Sequence, residues 1–378
     1  MRAFVLYLLL FSFAVLARAQ GVAPPDISAR AWLLVDQGSG QTLAERAAEN
    51  RIEPASLTKL MTAYLTFEAL NRGQIKQDQV VPVSEKAWKT SGSRMFIEPK
   101  KPVTVEELIH GMIIQSGNDA CIALAEAIAG SEEAFAQRMN LEAQRLGMSG
   151  THFVNATGLP DANHYTTARD LAKLVQAIVH DFPEYYPIYS KKEYRYNRIT
   201  QPNRNRLLWL DSTVDGVKTG HTDSAGYCLI ASAKRGPRRL VSVLLGADSE
   251  NQRAQESQKL LNFGFLSYDG IRLYEKSQVL SQLKIFKGER DTVNAGFQDD
   301  LVLSVPKGAA ESLKVELASV QPLLAPVQQG QKIASLKVSV TVGDQSVALG
   351  EYPVVALETV PLGGIFSRAW DSIRLWMQ

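Results

Sequence analysis

The stretch PASLTKLMT, residues 54–62, stands where an apolar helical pattern begins. Apolar side chains recur at the i, i+3, i+4, i+7 and i+8 spacing of one helix face, at Leu57, Leu60, Met61, Tyr64 and Leu65. Pro54 precedes this pattern and Gly73 follows it, as helix starts and ends prefer. We therefore predict a helix beginning near Ser56, with the serine oxygen beside unpaired backbone N–H groups and the positive end of the helix dipole.

Lys59 follows Ser56 by three positions, about 60° around a helix axis, so its amine can reach the serine. A serine hydroxyl is a poor nucleophile until a base takes its proton, and a lysine can be that base if desolvation and a cationic neighbour lower its pKa. The pair alone does not establish that Ser56 is a nucleophile, because S-x-x-K occurs by chance and Ser56 could be an ordinary helix cap. If Lys59 is the base, Lys59→Ala should lose activity and keep its fold, since we expect no core packing from this side chain.

A second motif, Ser116-Gly117-Asn118, falls in a loop between two predicted helices. Its hydroxyl could pass a proton and its amide could hold a substrate carbonyl. The alternative is a plain helix–helix turn, where all three residue types are common.

A third motif, Lys218-Thr219-Gly220, is predicted at the head of a strand. Lys218 supplies positive charge, and Thr219 supplies a hydroxyl for an anionic group. Gly220 would let a bound chain lie close to the strand. The alternative is an ordinary strand start.

Strand patterns open and close residues 20–266, and helical patterns fill the middle. The predicted strands are 31–36, a short one after a turn at 37–40, 227–231 and 240–245, and the predicted helices are 104–115, 119–129, 131–146, 167–180 and 251–263. Thr104 and Glu107 have the spacing of a capping box. This arrangement predicts an α+β fold with an antiparallel sheet.

Beyond about residue 266 the apolar residues alternate with polar ones, at Leu313, Val315 and Leu317 and again at Leu336, Val338, Val340 and Val342. A period of two is typical of half-buried strands. We therefore predict a small all-β domain over 267–362.

The last segment, 363–378, is predicted to be an amphipathic helix after Gly363-Gly364. One face holds Ile365, Phe366, Ala369, Trp370, Ile373, Trp376 and Met377, and only Leu375 breaks the division from the polar face. Aromatic residues beside two arginines favour a helix that lies in a membrane interface. The alternative is a helix packed on its own domain.

The N-terminus has the features of a secretory signal peptide over 1–19. Arg2 precedes a short apolar run, and Ala17-Arg18-Ala19 fits a small-x-small cleavage site. The run is too short for a comfortable membrane span, although an uncleaved anchor is the alternative. Removing Arg2 and Arg18 leaves 39 of the 41 basic residues against 39 acidic ones, so the charge does not favour nucleic acid as a partner.

Cysteines and histidines indicate neither a disulfide framework nor a metal site. Cys121 and Cys228 are predicted to be buried thiols, because a chain of this size can rely on its core. The histidines show no metal-ligand spacing, and they are His110, His152, His164, His180 and His221. We predict no metal and no cofactor.

The three motifs follow one another at gaps of about 60 and about 100 residues, which resembles the S-x-x-K, S-x-N and K-T-G set of penicillin-binding proteins and class A β-lactamases. The longer strings PASLTKLMT, SGNDAC (116–121) and DGVKTGHT (215–222) resemble the low-molecular-mass D-alanyl-D-alanine carboxypeptidases. The resemblance covers the whole chain after the signal peptide, including the β region and the tail.

This resemblance implies a β-lactamase/transpeptidase-like catalytic domain over 20–266 that removes the terminal D-Ala from peptidoglycan stem pentapeptides. Ser56 would be the nucleophile and Lys59 the general base, and water would hydrolyse the acyl-enzyme. Ser116 and Lys218 would pass a proton and set the local field, and the Asn118 amide would bind substrate.

The resemblance also implies the remaining substrate contacts. The backbone N–H groups of Ser56 and His221 would form the oxyanion hole. The terminal carboxylate would meet Thr219 and a cation, for which Arg204, in an N-R-N segment, and Arg253 are the candidates. The alternative for each arginine is a solvated surface charge.

The implied partners are a stem peptide ending in D-Ala-D-Ala, β-lactam antibiotics as inhibitors, and the membrane surface through the C-terminal helix. The implied location is the periplasmic face of the inner membrane, with peripheral attachment.

A class A β-lactamase is an alternative, but residues 159–164 are LPDANH and we find no E-x-x-L-N segment between Ser116 and Lys218. We therefore expect penicillin to acylate the protein and leave slowly. A DD-endopeptidase and a non-enzymatic penicillin-sensing module also stay open, and release of D-Ala from a pentapeptide would discriminate among them.

Overall fold

The computed structural model describes residues 22–319 and 321–376. The predicted signal peptide, residues 1–19, lies outside the described residues. Within the described ranges the fold class is the predicted one, an α+β unit followed by an all-β region and a C-terminal helix. None of the helices in these ranges is long and apolar enough to cross a membrane.

The α+β unit is built on a five-stranded antiparallel sheet. Its strands, with those of a separate hairpin, are β1 (Ala31–Asp36), β2 (Thr42–Arg46), β3 (Glu193–Tyr196), β4 (Ile199–Pro202), β5 (Val214–Thr222), β6 (Gly226–Arg235) and β7 (Arg238–Ala247). The sheet order is β2-β1-β7-β6-β5, and β3 pairs only with β4. The strand β5, which carries the K-T-G motif, is therefore an edge strand.

Helices cover both faces of this sheet. They are α1 (Lys59–Asn71), α2 (Glu85–Lys89), α3 (Val105–Ile114), α4 (Asn118–Ala129), α5 (Glu132–Arg145), α6 (Ala168–Asp181), α7 (Leu207–Leu210) and α8 (Glu250–Ser267). Alternate residues of β1 belong to different cores: Leu33 packs with the block of α1 and α3–α6, and Leu34 packs with Leu260 and Leu261 of α8. Because both faces are covered, β1 and the interiors of β6 and β7 are buried at successive residues rather than at alternate ones.

The capping box predicted at Thr104 and Glu107 is present at the start of α3. The Glu107 backbone N–H donates to Thr104 Oγ1 at 3.3 Å, and the Thr104 N–H donates to Glu107 Oε2 at 2.8 Å. Local sequence alone determines this helix start.

The β region has a core of its own. Its strands are β8 (Tyr268–Tyr274), β9 (Val279–Phe286), β10 (Thr292–Gly296), β11 (Leu301–Pro306), β12 (Lys314–Ser319), β13 (Leu323–Leu324), β14 (Lys332–Val342) and β15 (Gln345–Ala356). A six-stranded sheet has the order β12-β14-β15-β10-β9-β13, and β11 pairs with β8. The prediction of half-burial is wrong for Val315, which is exposed because β12 is an edge strand.

The last described element is α9 (Ile365–Trp376). Asp371, on its polar face, is buried and accepts a hydrogen bond from the Lys287 N–H at 2.6 Å. Leu375, the apolar residue that interrupts the polar face, lies one turn beyond Asp371 on the same side of α9 and is half-buried. The apolar face points away from the protein, with Phe366 91% and Trp376 88% exposed. Met377 and Gln378 lie outside the described residues.

The predicted position of the K-T-G motif at the head of a strand is wrong. The strand β5 begins at Val214, so Lys218 lies in its interior. Val214 and Val217 are buried and pair with β6 across from Ala233 and Ala231, which extends the strand backward. The sequence interpretation also missed α2, α7 and the β3–β4 hairpin, which are too short for a clear apolar period.

Candidate active site

Ser56 lies in a 3-10 turn, Ala55–Thr58, directly before α1. Ala55 has a φ of 47°, a left-handed conformation that residues other than glycine adopt rarely. Gly158, with a φ of 85°, packs on this turn so closely that a Cβ would lie 1.8 Å from the Ala55 carbonyl oxygen. The loop around Gly158 therefore holds the backbone of the Ser56 turn in a strained shape, as is common at functional sites.

The Lys59 amine lies at the centre of a buried hydrogen-bond cluster. Its Nζ is 3.0 Å from Ser56 Oγ, 2.7 Å from Asn118 Oδ1 and 2.6 Å from the Thr157 carbonyl oxygen. Burial lowers the pKa of Lys59, and the charge of Arg204 acts in the same direction. A neutral amine fits this geometry, because it can donate to the two carbonyl oxygens and accept the Ser56 hydroxyl proton with its lone pair.

The expectation that Lys59→Ala would remove no core packing is wrong. Lys59 is among the largest fully buried side chains of the described residues. An alanine would leave a cavity and two buried acceptors, Asn118 Oδ1 and the Thr157 carbonyl, without their donor.

Lys218 and Ser116 form a second pair. Lys218 Nζ donates to Ser116 Oγ at 3.0 Å and to the Thr219 carbonyl at 3.1 Å. Ser116 has a φ of 60°, so it too is held in a rare backbone conformation. The pKa of Lys218 is well below its ordinary value because the side chain is buried and Lys59 and Arg204 add positive charge nearby.

Asn118 connects the first pair to the wall of the cleft. It is the first residue of α4, so the S-x-N motif is only partly in a loop. Its Oδ1 accepts from Lys59, its Nδ2 donates to the Ser91 carbonyl at 2.8 Å, and its backbone N–H donates to the Ser93 carbonyl at 2.7 Å. The second hydrogen of Nδ2 has no hydrogen-bond partner among the described residues.

These pairs lie at one side of a cleft of about 550 Å³. Residues from seven separate segments line it, namely Ser56, Gly92, Ser93, Ser116, Arg204, Thr219, Gly220, His221, Tyr227, Glu250 and Arg253. The structure thus brings seven of the predicted site residues to the cleft surface. Lys59, Asn118 and Lys218 are buried beneath it. Lys59 and Lys218 reach the cleft through their hydrogen bonds to Ser56 and Ser116, and Asn118 is bonded to Lys59.

Residues 18–249 match the family model described as D-alanyl-D-alanine carboxypeptidase. The chain belongs to this family of serine hydrolases. A second model, described as the C-terminal domain of penicillin-binding protein 5, matches residues 268–362.

Curated relatives and solved structures agree with this membership. D-alanyl-D-alanine carboxypeptidase DacC of Escherichia coli (strain K12) is 40% identical over 377 residues, covering 98% of this chain and 93% of the relative. The structure of penicillin binding protein 5 from Haemophilus influenzae has a TM-score of 0.82 at 37% identity, covering 90% of this chain and all of that one. Penicillin-binding protein D2 from Listeria monocytogenes, in its ampicillin-bound form, has a TM-score of 0.60 at 32% identity, covering 64% of this chain and 99% of that one.

The two candidate arginines of this carboxypeptidase-family cleft have different surroundings. Arg204 is exposed, and its guanidinium has no hydrogen-bond or ion-pair partner within residues 22–319 and 321–376. Arg253 is buried, and it donates to the Gly220 carbonyl at 3.4 Å and to Glu250 Oε1 at 2.9 Å. Its guanidinium also lies 5.5 Å from the centre of the Tyr227 ring.

Gly220 packs closely against the Ser56 turn. A Cβ there would lie 3.2 Å from the Pro54 carbonyl oxygen and from Leu57 Cγ. The glycine therefore lets β5 approach the Ser56 turn, a reason that the sequence interpretation did not give. Close approach of a bound chain to Gly220 stays a prediction. His221, the next residue, is exposed and its ring lies 4.0 Å from that of Tyr227.

His164 is a site-adjacent residue that the sequence interpretation missed. The Val154 N–H donates to His164 Nδ1 at 3.2 Å, so Nε2 carries the proton and donates to Thr58 Oγ1 at 2.8 Å. Burial lowers the pKa of His164 to about 4 and keeps the ring neutral. His164 thus joins the Ser56–Lys59 turn to the loop that supplies the Thr157 carbonyl. It belongs to no motif or periodic pattern, so the sequence does not predict this contact.

Asp119 was missed as well. Its carboxylate accepts backbone N–H bonds from Met95, Phe96 and Ile97 at 2.9, 2.8 and 3.2 Å. Desolvation raises its pKa despite these bonds. Asp119 thereby fixes the segment next to Gly92 and Ser93, which forms one wall of the cleft.

The cysteines are buried free thiols, as predicted, at Cys121 and Cys228. Burial raises their pKa values, to about 12 and about 11, so neither is a thiolate nucleophile at neutral pH. In the described part of the chain no three His, Cys, Asp or Glu side chains are grouped to hold a metal ion.

Proposed function

We propose that the chain removes the terminal D-alanine from peptidoglycan stem peptides through an acyl-enzyme on Ser56. The observation that carries this proposal is the contact between the buried Lys59 amine and the Ser56 hydroxyl, at 3.0 Å, in the wall of a cationic cleft. The family membership supports the reaction class, because its members are D-alanyl-D-alanine carboxypeptidases.

In the first step Ser56 Oγ attacks the carbonyl carbon between the two D-alanines, and its proton passes to Lys59 Nζ. The lowered pKa that burial imposes on Lys59 supports this role, because the neutral amine that accepts the proton is favoured over the charged one. The oxygen of the tetrahedral intermediate would be bound by the backbone N–H groups of Ser56 and His221.

In the second step the C–N bond breaks and the leaving D-alanine nitrogen takes up a proton. Ser116 Oγ is suited to deliver it, since Lys218 donates a hydrogen bond to that oxygen. The proton that Lys59 took from Ser56 would then pass to Ser116, which restores the serine hydroxyl and the neutral amine of Lys59. Water then attacks the acyl carbon, and the regenerated amine of Lys59 can take a proton from that water. As the ester bond breaks, Lys59 would return this proton to Ser56 Oγ, so the enzyme ends unchanged.

The free carboxylate of the substrate would lie between Thr219 and the guanidinium groups of Arg204 and Arg253. Arg204 is available for this contact, since its charge faces the cleft without an ion-pair partner among the described residues. The Asn118 amide would hold the peptide at the other side of the scissile bond.

We further propose that β-lactams acylate Ser56. The ampicillin-bound form of the Listeria relative supports this. We also propose export by residues 1–19, a catalytic domain over 20–266, an all-β domain over 267–362, and peripheral attachment to the periplasmic face of the inner membrane by 363–378. The outward apolar face of α9 supports the attachment.

The test is release of D-alanine from a synthetic stem pentapeptide, followed by mass spectrometry, together with covalent labelling by a fluorescent penicillin. We expect wild type to be positive in both assays and Ser56→Ala to be negative in both. Ser149→Ala, at an exposed serine, is the matched control and should behave as wild type. Labelling that persists in Ser56→Ala would remove Ser56 as nucleophile, and rapid turnover of the penicillin would favour a β-lactamase instead.

A further inference from the structure

Glu250 is the only acidic side chain among the described residues that line the cleft. It is the first residue of α8, after the cap Ser249, and its side chain is 50% exposed. Its Oε1 accepts the 2.9 Å hydrogen bond from Arg253 Nη2. Neither the motifs nor the mechanism above uses this carboxylate.

Arg253 needs an anion. Its side chain is buried, and a buried cation is costly unless it is paired. It also lies in the first turn of α8, where the helix dipole opposes positive charge. With no substrate present, Glu250 supplies the compensating charge.

A substrate carboxylate in the cleft would require the same guanidinium. Nη1 of Arg253 points to the Gly220 carbonyl of β5, and Nη2 points to Glu250. An anion in the cleft can therefore share the side of the guanidinium group that carries Nη2. Because Glu250 is half-exposed, its side chain can turn to solvent at small cost. If it stays in place, it repels the incoming carboxylate.

We infer that Glu250 occupies the anion position of Arg253 in the free enzyme and competes with the terminal carboxylate of the substrate. This inference rests on the proposed function for the identity of the ligand. The glutamate weakens binding of peptides that end in a free carboxylate and speeds release of the carboxylate product. It leaves peptides with a blocked C-terminus unaffected.

Glu250→Gln tests this inference, because the amide keeps the shape and can still accept the hydrogen bond from Arg253 while the charge is lost. The substrates are N-acetylated Lys-D-Ala-D-Ala as the free acid and as the C-terminal amide. We expect KM for the free acid to fall about three- to tenfold, the gain typical of removing one partly exposed like charge, and to fall less at high salt. The matched control is Glu256→Gln, which removes one charge from the same helix away from the cleft and should not change KM.

A KM that does not fall would separate competition with the substrate from a role of Glu250 in positioning Arg253. If Glu250 only holds Arg253 in place, the variant raises KM or leaves it unchanged, and the inference is wrong. An equal fall in KM for the amide also overturns it.

Calorimetric titration of the same peptides into Ser56→Ala and Ser56→Ala/Glu250→Gln measures binding without turnover. If the free acid, and not the amide, binds more tightly to the double variant, the competition is supported. This holds even when wild type releases no D-alanine, because the absence of release would overturn the proposed function and not this inference. Equal affinities in the two variants would overturn the competition.

Discussion

At the scale of the residue, two buried lysines determine the chemistry of the cleft. Lys59 and Lys218 are both almost fully covered, and burial is the largest cause of the lowered pKa of each. Each contacts a serine hydroxyl at 3.0 Å. Burial thereby makes each amine easier to deprotonate than an exposed lysine, which favours its action as a base.

The rate of acylation should therefore rise with pH as Lys59 loses its proton, with a midpoint below 10.5, the ordinary value for lysine. The sign follows from burial, which favours the neutral amine, so the active form persists at lower pH than it would for an exposed lysine. The measurement is the second-order rate constant for labelling by a fluorescent penicillin across pH. A midpoint at or above the ordinary lysine value would contradict the role of Lys59.

Lys59→Met is the variant to compare, because methionine fills most of the buried volume and has no amine. We expect labelling to fall by at least about 10²-fold, the usual contribution of a general base. Stability should fall by about 1–3 kcal/mol for each buried acceptor that loses its donor, which thermal unfolding measures. Near-normal labelling by a folded Lys59→Met protein would exclude Lys59 as the base.

At the scale of the element, α9 is bound to the β region by its polar face. The Asp371 carboxylate accepts from the Lys287 backbone N–H, and the Gly363 N–H just before the helix donates to the Lys287 carbonyl at 2.9 Å. The exposed side carries Ile365, Phe366, Trp370, Ile373 and Trp376. The helix therefore contacts its own domain, as the alternative interpretation expected, but through its polar face and not through its apolar face.

We expect the mature chain to sediment with neutral phosphatidylcholine liposomes even at high salt, and a chain ending at Leu362 to stay in solution with full activity on a small peptide. Each apolar side chain can contribute up to about 1.5–3 kcal/mol if fully buried, so the face outweighs the cost of ordering a short helix. Trp370→Glu/Trp376→Glu should release the protein. Ser367→Glu/Ser372→Glu adds the same charge to the polar face and should still bind. Equal partitioning of the full and truncated chains would mean that α9 is not an anchor.

At the scale of the whole molecule, a buried polar junction joins the α+β unit to the β region. Ser304 Oγ is hydrogen-bonded to Asp36 and accepts from Arg238 Nη2 at 2.6 Å, and the Ser304 N–H donates to Gln41 Oε1 at 2.7 Å. Gly270 leaves the space that Arg238 fills, since a Cβ there would lie 2.2 Å from Arg238 Cδ. These contacts attach β11 of the β region to the central sheet of the α+β unit.

Ser304→Ala should lower the melting temperature and leave D-alanine release at 25 °C unchanged, because the junction is remote from the cleft. Asp36 and Arg238 would each lose a buried partner, at a cost of about 1–3 kcal/mol. Ser346→Ala, at an exposed position of β15, is the matched control and should melt as wild type. A melting temperature equal to that of wild type for Ser304→Ala would show that the junction contributes no stability.

Local sequence was sufficient for much of the fold. The strand Ala31–Asp36, the capping box at Thr104 and the main helices α3–α6 and α8 follow from periods and caps that involve residues close in the chain. The three motifs were also enough to predict which side chains meet at the cleft, through resemblance to a known family rather than through geometry.

Tertiary structure decided what depends on segments far apart in the chain. The burial of Lys59, the contact of His164 with Thr58, the pairing of Glu250 with Arg253 in the cleft, and the attachment of α9 through Asp371 have no periodic or motif signal. The sequence by itself determined the element types and the chemical groups available, because propensity and spacing act over a few residues. Only packing determined the pKa values, the charge pairing of Arg253 in the cleft and the outward face of α9. Desolvation and charge pairing depend on which distant surfaces come together.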